Sequence, residues 1–112
     1  MGISTHILDT GRGRPAAGVA VTLEQLHGGA WQPAGGGVTD ADGRVRALWG
    51  AESAPPAGTY RIGFDVGGYF AGLGTAAFYP RVDITFVVSD PAEHHHVPLL
   101  LSAFGYSTYR GS

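Results

Sequence analysis

The chain of 112 residues has no cysteine and no lysine. The first absence rules out disulfides, thiolate metal ligands and a cysteine nucleophile, and it leaves the redox compartment open. The second rules out Schiff-base chemistry, so every fixed side-chain positive charge is a guanidinium. Those guanidiniums are scattered, at positions 12, 14, 44, 46, 61, 81 and 110, within a net charge of −2. No basic stripe exists to follow a phosphate backbone, and nucleic acid is not an expected partner. Long apolar runs are missing as well. No stretch approaches bilayer length, and the start, Met1-Gly2-Ile3-Ser4-Thr5-His6, has no basic segment leading into an apolar one. His6 also stands where a myristoylation signal usually carries serine or threonine. These absences predict no membrane partner and a cytoplasmic location, and the length suits one domain over residues 1–112.

What the chain has in quantity is glycine, 19 residues of it, spaced between short β-branched and aromatic runs. That spacing predicts many short strands rather than helices. The expected fold is all-β, an antiparallel β-sandwich of about eight strands with one short helix. The strands are expected over residues 3–9, 18–26, 31–39, 44–49, 58–66, 82–89, 96–102 and 105–110. Asp42-Gly43 predicts a two-residue hairpin turn, because glycine tolerates the positive φ such turns need. Pro55-Pro56-Ala57-Gly58 reads as a loop that cannot extend a central strand. The glycine-rich segment 67–74 is the one place for a turn or two of helix.

Strand alternation assigns faces to the residues that carry chemistry. In the first strand Ser4, His6 and Leu8 share one face and Ile3, Thr5 and Ile7 the other. In the strand beginning at His96, His96, Pro98 and Leu100 oppose Val97, Leu99 and Leu101. The aliphatic faces belong inside, which sets both histidines on outward faces beside Leu8, Pro98 and Leu100. A partly apolar outward face calls for a partner, and self-association is expected. On the last strand Ser107, Tyr109 and Gly111 share a face.

His6 reads either as an exposed strand histidine or as a site residue. His94-His95-His96 could clip a metal only through His94 and His96, since neighbours alternate sides, and the spacings of real zinc sites are absent. No metal is expected, and His94 and His95 read as loop residues. Arg44 begins a strand after a turn; it is either paired with Asp40 or Asp42 or functional, and the residues alone do not raise it above Arg46. His27 reads as a hairpin loop residue. The ending, Tyr109-Arg110-Gly111-Ser112, is polar and aromatic directly after a hydrophobic strand, which makes sense if it is held in place to line a site rather than fraying. Arg110 serves equally well as a lining cation or a tail charge. Two histidines, fixed cations and a hydroxyl without thiol or lysine suit acid–base hydrolysis of an activated amide or imide by water. A terminal serine lacks the strained elbow that activates serine nucleophiles.

The block His96-Val97-Pro98-Leu99-Leu100-Leu101-Ser102 through Tyr109-Arg110-Gly111-Ser112 resembles the C-terminal signature of the transthyretin-like 5-hydroxyisourate hydrolases. Thr5-His6-Ile7-Leu8-Asp9 with Gly13-Arg14-Pro15-Ala16 resembles their N-terminal signature, and Thr39-Asp40-Ala41-Asp42-Gly43-Arg44 their central turn. The resemblance implies a transthyretin-like sandwich, a homotetramer with sites at a subunit interface around a central channel, and no cofactor. It implies opening of the N1–C6 bond of 5-hydroxyisourate to give 2-oxo-4-hydroxy-4-carboxy-5-ureidoimidazoline. By position it implies catalytic roles for His6, Arg44, His96 and Ser112, and substrate contacts from His6, Arg44, Tyr109, Arg110, Gly111 and Ser112. Which histidine is the base stays open. Transthyretin itself, a hormone carrier, and the sandwich modules of secreted proteins are the rival readings. The carrier lacks the Tyr-Arg-Gly-Ser ending and both histidines, and the modules sit in long exported chains. Ala103 where the family carries proline, Arg81 where an acidic residue is typical, and the basic Arg12 and Arg14 are departures away from the implied site.

Overall fold

Alternating apolar and polar residues drive this chain into two facing sheets. The computed structural model describes residues 2–112. Its elements run β1 (Gly2–Asp9), β2 (Arg14–Pro15), β3 (Ala20–His27), β4 (Ala30–Val38), β5 (Arg44–Val45), β6 (Gly58–Phe64), α1 (Val66–Gly72), β7 (Val82–Val88), β8 (His94–Ser102) and β9 (Gly105–Thr108). One sheet has the order β2-β1-β8-β9 with β5 also on β1; the other has the order β4-β3-β6-β7. Inward residues of β1 and β8, Ile3, Ile7, Val97, Leu99 and Leu101, meet Leu23, Tyr60, Ile62, Phe64 and Ile84 of the second sheet in one core. The Tyr60 hydroxyl, carried into this apolar layer, is satisfied by donating to the Pro56 carbonyl at 2.6 Å.

The expected antiparallel sandwich is present with one exception. β1 and β8 run parallel, in the register Ser4 to His96, His6 to Pro98 and Leu8 to Leu100. Parallel neighbours need a long crossover, and here nearly the whole chain supplies it. The inward-facing Thr5 hydroxyl donates to the Val97 carbonyl at 2.7 Å, reinforcing the pairing. Pro98 sits inside a central strand, where it removes one ladder donor; its carbonyl is taken by the Thr108 hydroxyl at 2.7 Å.

Three local expectations are corrected. Strand 44–49 shrinks to Arg44–Val45, because the chain then crosses between sheets: the Leu48 N–H donates to Ile3 of one sheet at 2.9 Å, while its carbonyl accepts from Gly36 of the other at 3.0 Å. The turn before it closes no hairpin, since β4 and β5 belong to different sheets. The Gly43 N–H donates to the Asp40 carbonyl at 2.9 Å, which puts Ala41 and Asp42 at the turn's centre and Gly43, at φ +75°, after it. His27 ends β3, paired with Ala30, and the hairpin turns on Gly28-Gly29. The short helix forms as expected: Asp65 caps it by accepting from the Gly68 N–H at 3.0 Å, and Val66 and Phe70 are buried.

Leu99, fully buried, and Gln32, exposed on β4, separate core from surface. Leu99→Ala is expected to cost about 2–5 kcal/mol in urea denaturation, and Gln32→Ala to stay within about 0.5 kcal/mol.

Candidate active site

The parallel pairing of β1 with β8 builds a polar row on the outward face of the first sheet. Because Ser4 stands opposite His96 and His6 opposite Pro98, the side chains of Ser4, His6, His94 and His96 share one face. On the other edge of β1, Arg44 is the register partner of His6. The tail closes the third side. The Gly111 N–H donates to the His96 carbonyl at 2.8 Å, forming an isolated bridge that carries Ser112 past the histidine. The result is a cleft of about 350 Å³ lined by Ser4, Arg44, Arg46, His94, His96 and Ser112, with Thr5 at its base.

Of the residues expected in the site, Arg44, His96 and Ser112 meet in this cleft. His6 is half-buried beside it on the same face and acts electrostatically on His96. Gly111 packs against the His96 ring, so closely that a methyl there would overlap the imidazole. Tyr109 and Arg110 are not brought in. They line a separate, mostly apolar cavity of about 210 Å³ along β7, and Arg110 pairs with Glu93 at 2.8 Å.

Four residues not expected in the site also line the cleft, Ser4, Thr5, Arg46 and His94, and two of them touch His96 or each other through hydrogen bonds. The Ser4 hydroxyl lies between two imidazoles, 2.7 Å from His94 Nε2 and 2.8 Å from His96 Nδ1. His94 and His95 are strand residues of β8 rather than loop residues, because β8 continues to pair with β1 as far as Gly2. His94 and His96 do converge, as alternation requires, while His95 points inward and is buried. The signal for Ser4 was its shared face with His6; the register that sets it against His96 cannot be read without the pairing.

Charge in the cleft is set by position. His96 has its pKa lowered from 6.5, first by burial and then by the nearby charges of Arg44, His6 and His94. It therefore stays neutral, able to accept a proton, below the ordinary histidine range. Arg44 is held by its turn: the Asp40 carboxylate accepts from the backbone N–H of Arg44 at 3.0 Å and of Asp42 at 2.9 Å. Those bonds, the Arg44 one foremost, lower the Asp40 pKa. Arg46, not Arg44, reaches toward Asp42, at 3.9 Å between exposed groups, so of the two alternatives for Arg44 the ion pair with a turn carboxylate is not the one formed.

Among the described residues no group of three or more histidine, aspartate or glutamate side chains is arranged to hold a metal ion. The family model of the HIUase/Transthyretin family matches residues 3–111. The chain belongs to that family. It is 49% identical to a 5-hydroxyisourate hydrolase of Salmonella typhimurium over 98% of this chain and 80% of that protein. The solved 5-hydroxyisourate hydrolase of Klebsiella pneumoniae is 39% identical with a TM-score of 0.85, each chain covered in full. Sea bream transthyretin, solved in complex with thyroxine, superposes with a TM-score of 0.91 at 34% identity, covering 99% of this chain and 95% of that one. The HIUase/Transthyretin backbone thus serves both kinds of protein, and function has to be argued from side chains.

Because its folded-state pKa is depressed, His96 contributes stability that is present above about 6.5 and lost as pH falls through the lowered value. NMR titration is expected to find its midpoint below 6.5 and, in Arg44→Gln, higher but still below 6.5, since burial is the larger cause. Gly111→Ala is expected to shift the His96 ring resonances and to sharply reduce turnover while the protein stays folded by circular dichroism; unchanged resonances would remove the tail from the site.

Proposed function

We infer that this chain is a 5-hydroxyisourate hydrolase acting in urate degradation, with its active site in the His96 cleft. The observation that carries the reading is the gathering of His96, Arg44 and Ser112, with His6 alongside, on one face of the sheet in a member of this family. A neutral imidazole next to a fixed cation is what water activation against a ring carbonyl requires. His96 takes a proton from water, whose oxygen adds to C6. Arg44 stabilises the oxyanion that forms. The N1–C6 bond then breaks, and His6 protonates the leaving nitrogen. Ser112 hydrogen-bonds the ring. No step calls for a cofactor.

The same face supports self-association. Leu8 and Leu100 remain half-buried beside the histidines, an apolar surface that a second copy would cover. A homotetramer is the assembly we propose, with each site completed at a subunit interface. Tyr109 and Arg110 lie outside the cleft of their own chain, so substrate contacts from them require a neighbouring copy. A cytoplasmic location and one catalytic domain over residues 1–112 complete the reading. A hormone-carrier reading draws on the likeness to transthyretin, but a cleft lined by arginines, histidines and serines is a poor lining for a hydrophobic hormone.

Freshly generated 5-hydroxyisourate, followed by its ultraviolet decay, is expected to disappear faster with the protein than spontaneously. His6→Ala and His96→Ala are each expected to lower kcat/KM by about 10²–10⁴-fold with the fold intact. Saturable thyroxine binding without any acceleration would assign the chain to the carriers instead.

A further inference from the structure

The Ser4 hydroxyl has one proton to donate and can accept others, yet it lies within hydrogen-bonding distance of both His94 Nε2 and His96 Nδ1. Each bond therefore fixes the sense of the other. If the hydroxyl donates to His94, it accepts from His96 Nδ1–H, and His96 Nε2 is left bare. If it donates to His96, then His94 supplies an Nε2–H and His96 carries its own proton on Nε2. Arg44 lines the same cleft as His96 and acts on its ring electrostatically. A guanidinium there favours a lone pair over a second N–H.

We propose that Ser4 and His94 are positioning residues that hold His96 in its Nδ1–H tautomer, making His96 Nε2 the base of the site and giving its proton a path to solvent. This rests on the hydrolase reading and decides which histidine activates water. When His96 Nε2 takes a proton from water, the Nδ1 proton passes to Ser4 Oγ while the hydroxyl's own proton passes to His94 Nε2. One water O–H bond breaks and one N–H bond forms at His96 Nε2; the hydroxide adds to the substrate and the positive charge moves to His94. His96 is then neutral again and protonated on Nε2; after the product leaves, water takes that proton and the relay runs backwards, His94 Nε2–H to Ser4 and the Ser4 O–H to His96 Nδ1, with His94 regaining a proton on Nδ1 from water. His94 is exposed, so water can take the charge away, whereas Ser4 is more than nine-tenths buried and has no such outlet of its own. Buried hydroxyls of this kind orient an imidazole through the nitrogen that does not react.

The test combines nitrogen-15 NMR of the full chain with steady-state kinetics. In the unmodified protein above the His96 midpoint, the His96 ring is expected to carry its proton on Nδ1, and in Ser4→Ala to lose that preference. Ser4→Ala is expected to lower kcat about ten- to a hundredfold with KM little changed, Ser4→Thr to restore most of the rate because it keeps the hydroxyl, and His94→Phe to lower kcat as Ser4→Ala does. An Nε2–H tautomer in the unmodified protein overturns the proposal, as does a normal kcat in His94→Phe. The NMR readout needs no substrate, so it stands even if 5-hydroxyisourate proves not to be turned over. A failure of the hydrolase reading is thereby told apart from a failure of the relay. Should Ser4→Ala not fold, the tautomer of the unmodified protein and the kcat of His94→Phe still decide.

Discussion

Everything in this molecule that bears on chemistry depends on one pairing, the parallel ladder between β1 and β8 that joins the two ends of the chain. Its register does two jobs at once. It turns Ile3, Ile7, Val97, Leu99 and Leu101 into the core, and the same alternation turns Ser4, His6, His94 and His96 outward. A slip of one residue would bury imidazoles and expose leucines, so hydrophobic burial enforces the geometry of the cleft without any direct bond between His6, Arg44 and His96. The inward Thr5 hydroxyl, bonded across the ladder to Val97, holds the register from the core side.

Around that ladder the supporting parts are short and local. The turn from Asp40 to Gly43 delivers Arg44 to the free edge of β1, with the Asp40 carboxylate holding the Arg44 backbone so that the guanidinium is left for the cleft. The tail is held by the Arg110–Glu93 ion pair and by a backbone bridge at Gly111, where the absence of a side chain lets the backbone lie against the His96 ring. Glycine is required at this point by close approach rather than by backbone conformation. The buried carboxylate of Asp9 ties the far end of β1 to the helix through the Tyr69 hydroxyl at 2.7 Å, well away from the chemistry.

Much of this was legible in the residues. Alternation in β1 and β8 correctly assigned both faces, because each strand carries apolar residues every second position. The proline loop was placed by its own local chemistry, and a turn was rightly expected near Asp42-Gly43, although it closes no hairpin and Gly43 follows its centre. What stayed hidden depends on pairing. A run of three histidines looks like a loop until β1 is known to extend back to Gly2 and hold it in a strand. Ser4 looks like an ordinary strand serine until the register sets it against His96. The early end of β5 follows from a crossover between sheets that no local pattern announces. Tyr109 and Arg110 lie along β7 instead of in the cleft, which the polar, aromatic character of the ending could not tell, because it gave a reason for the tail to line a site but not which of its residues would face it.

The central claim is that the His96 cleft receives the purine-derived ring. The most direct measurement is the crystal structure of the protein with an inert oxidised-purine analogue bound. The account predicts the ring in the cleft, with a carbonyl oxygen on the Arg44 guanidinium and His96 Nε2 facing the adjacent carbon. An analogue seated instead in the apolar cavity along β7, or on no part of the histidine face, would contradict it.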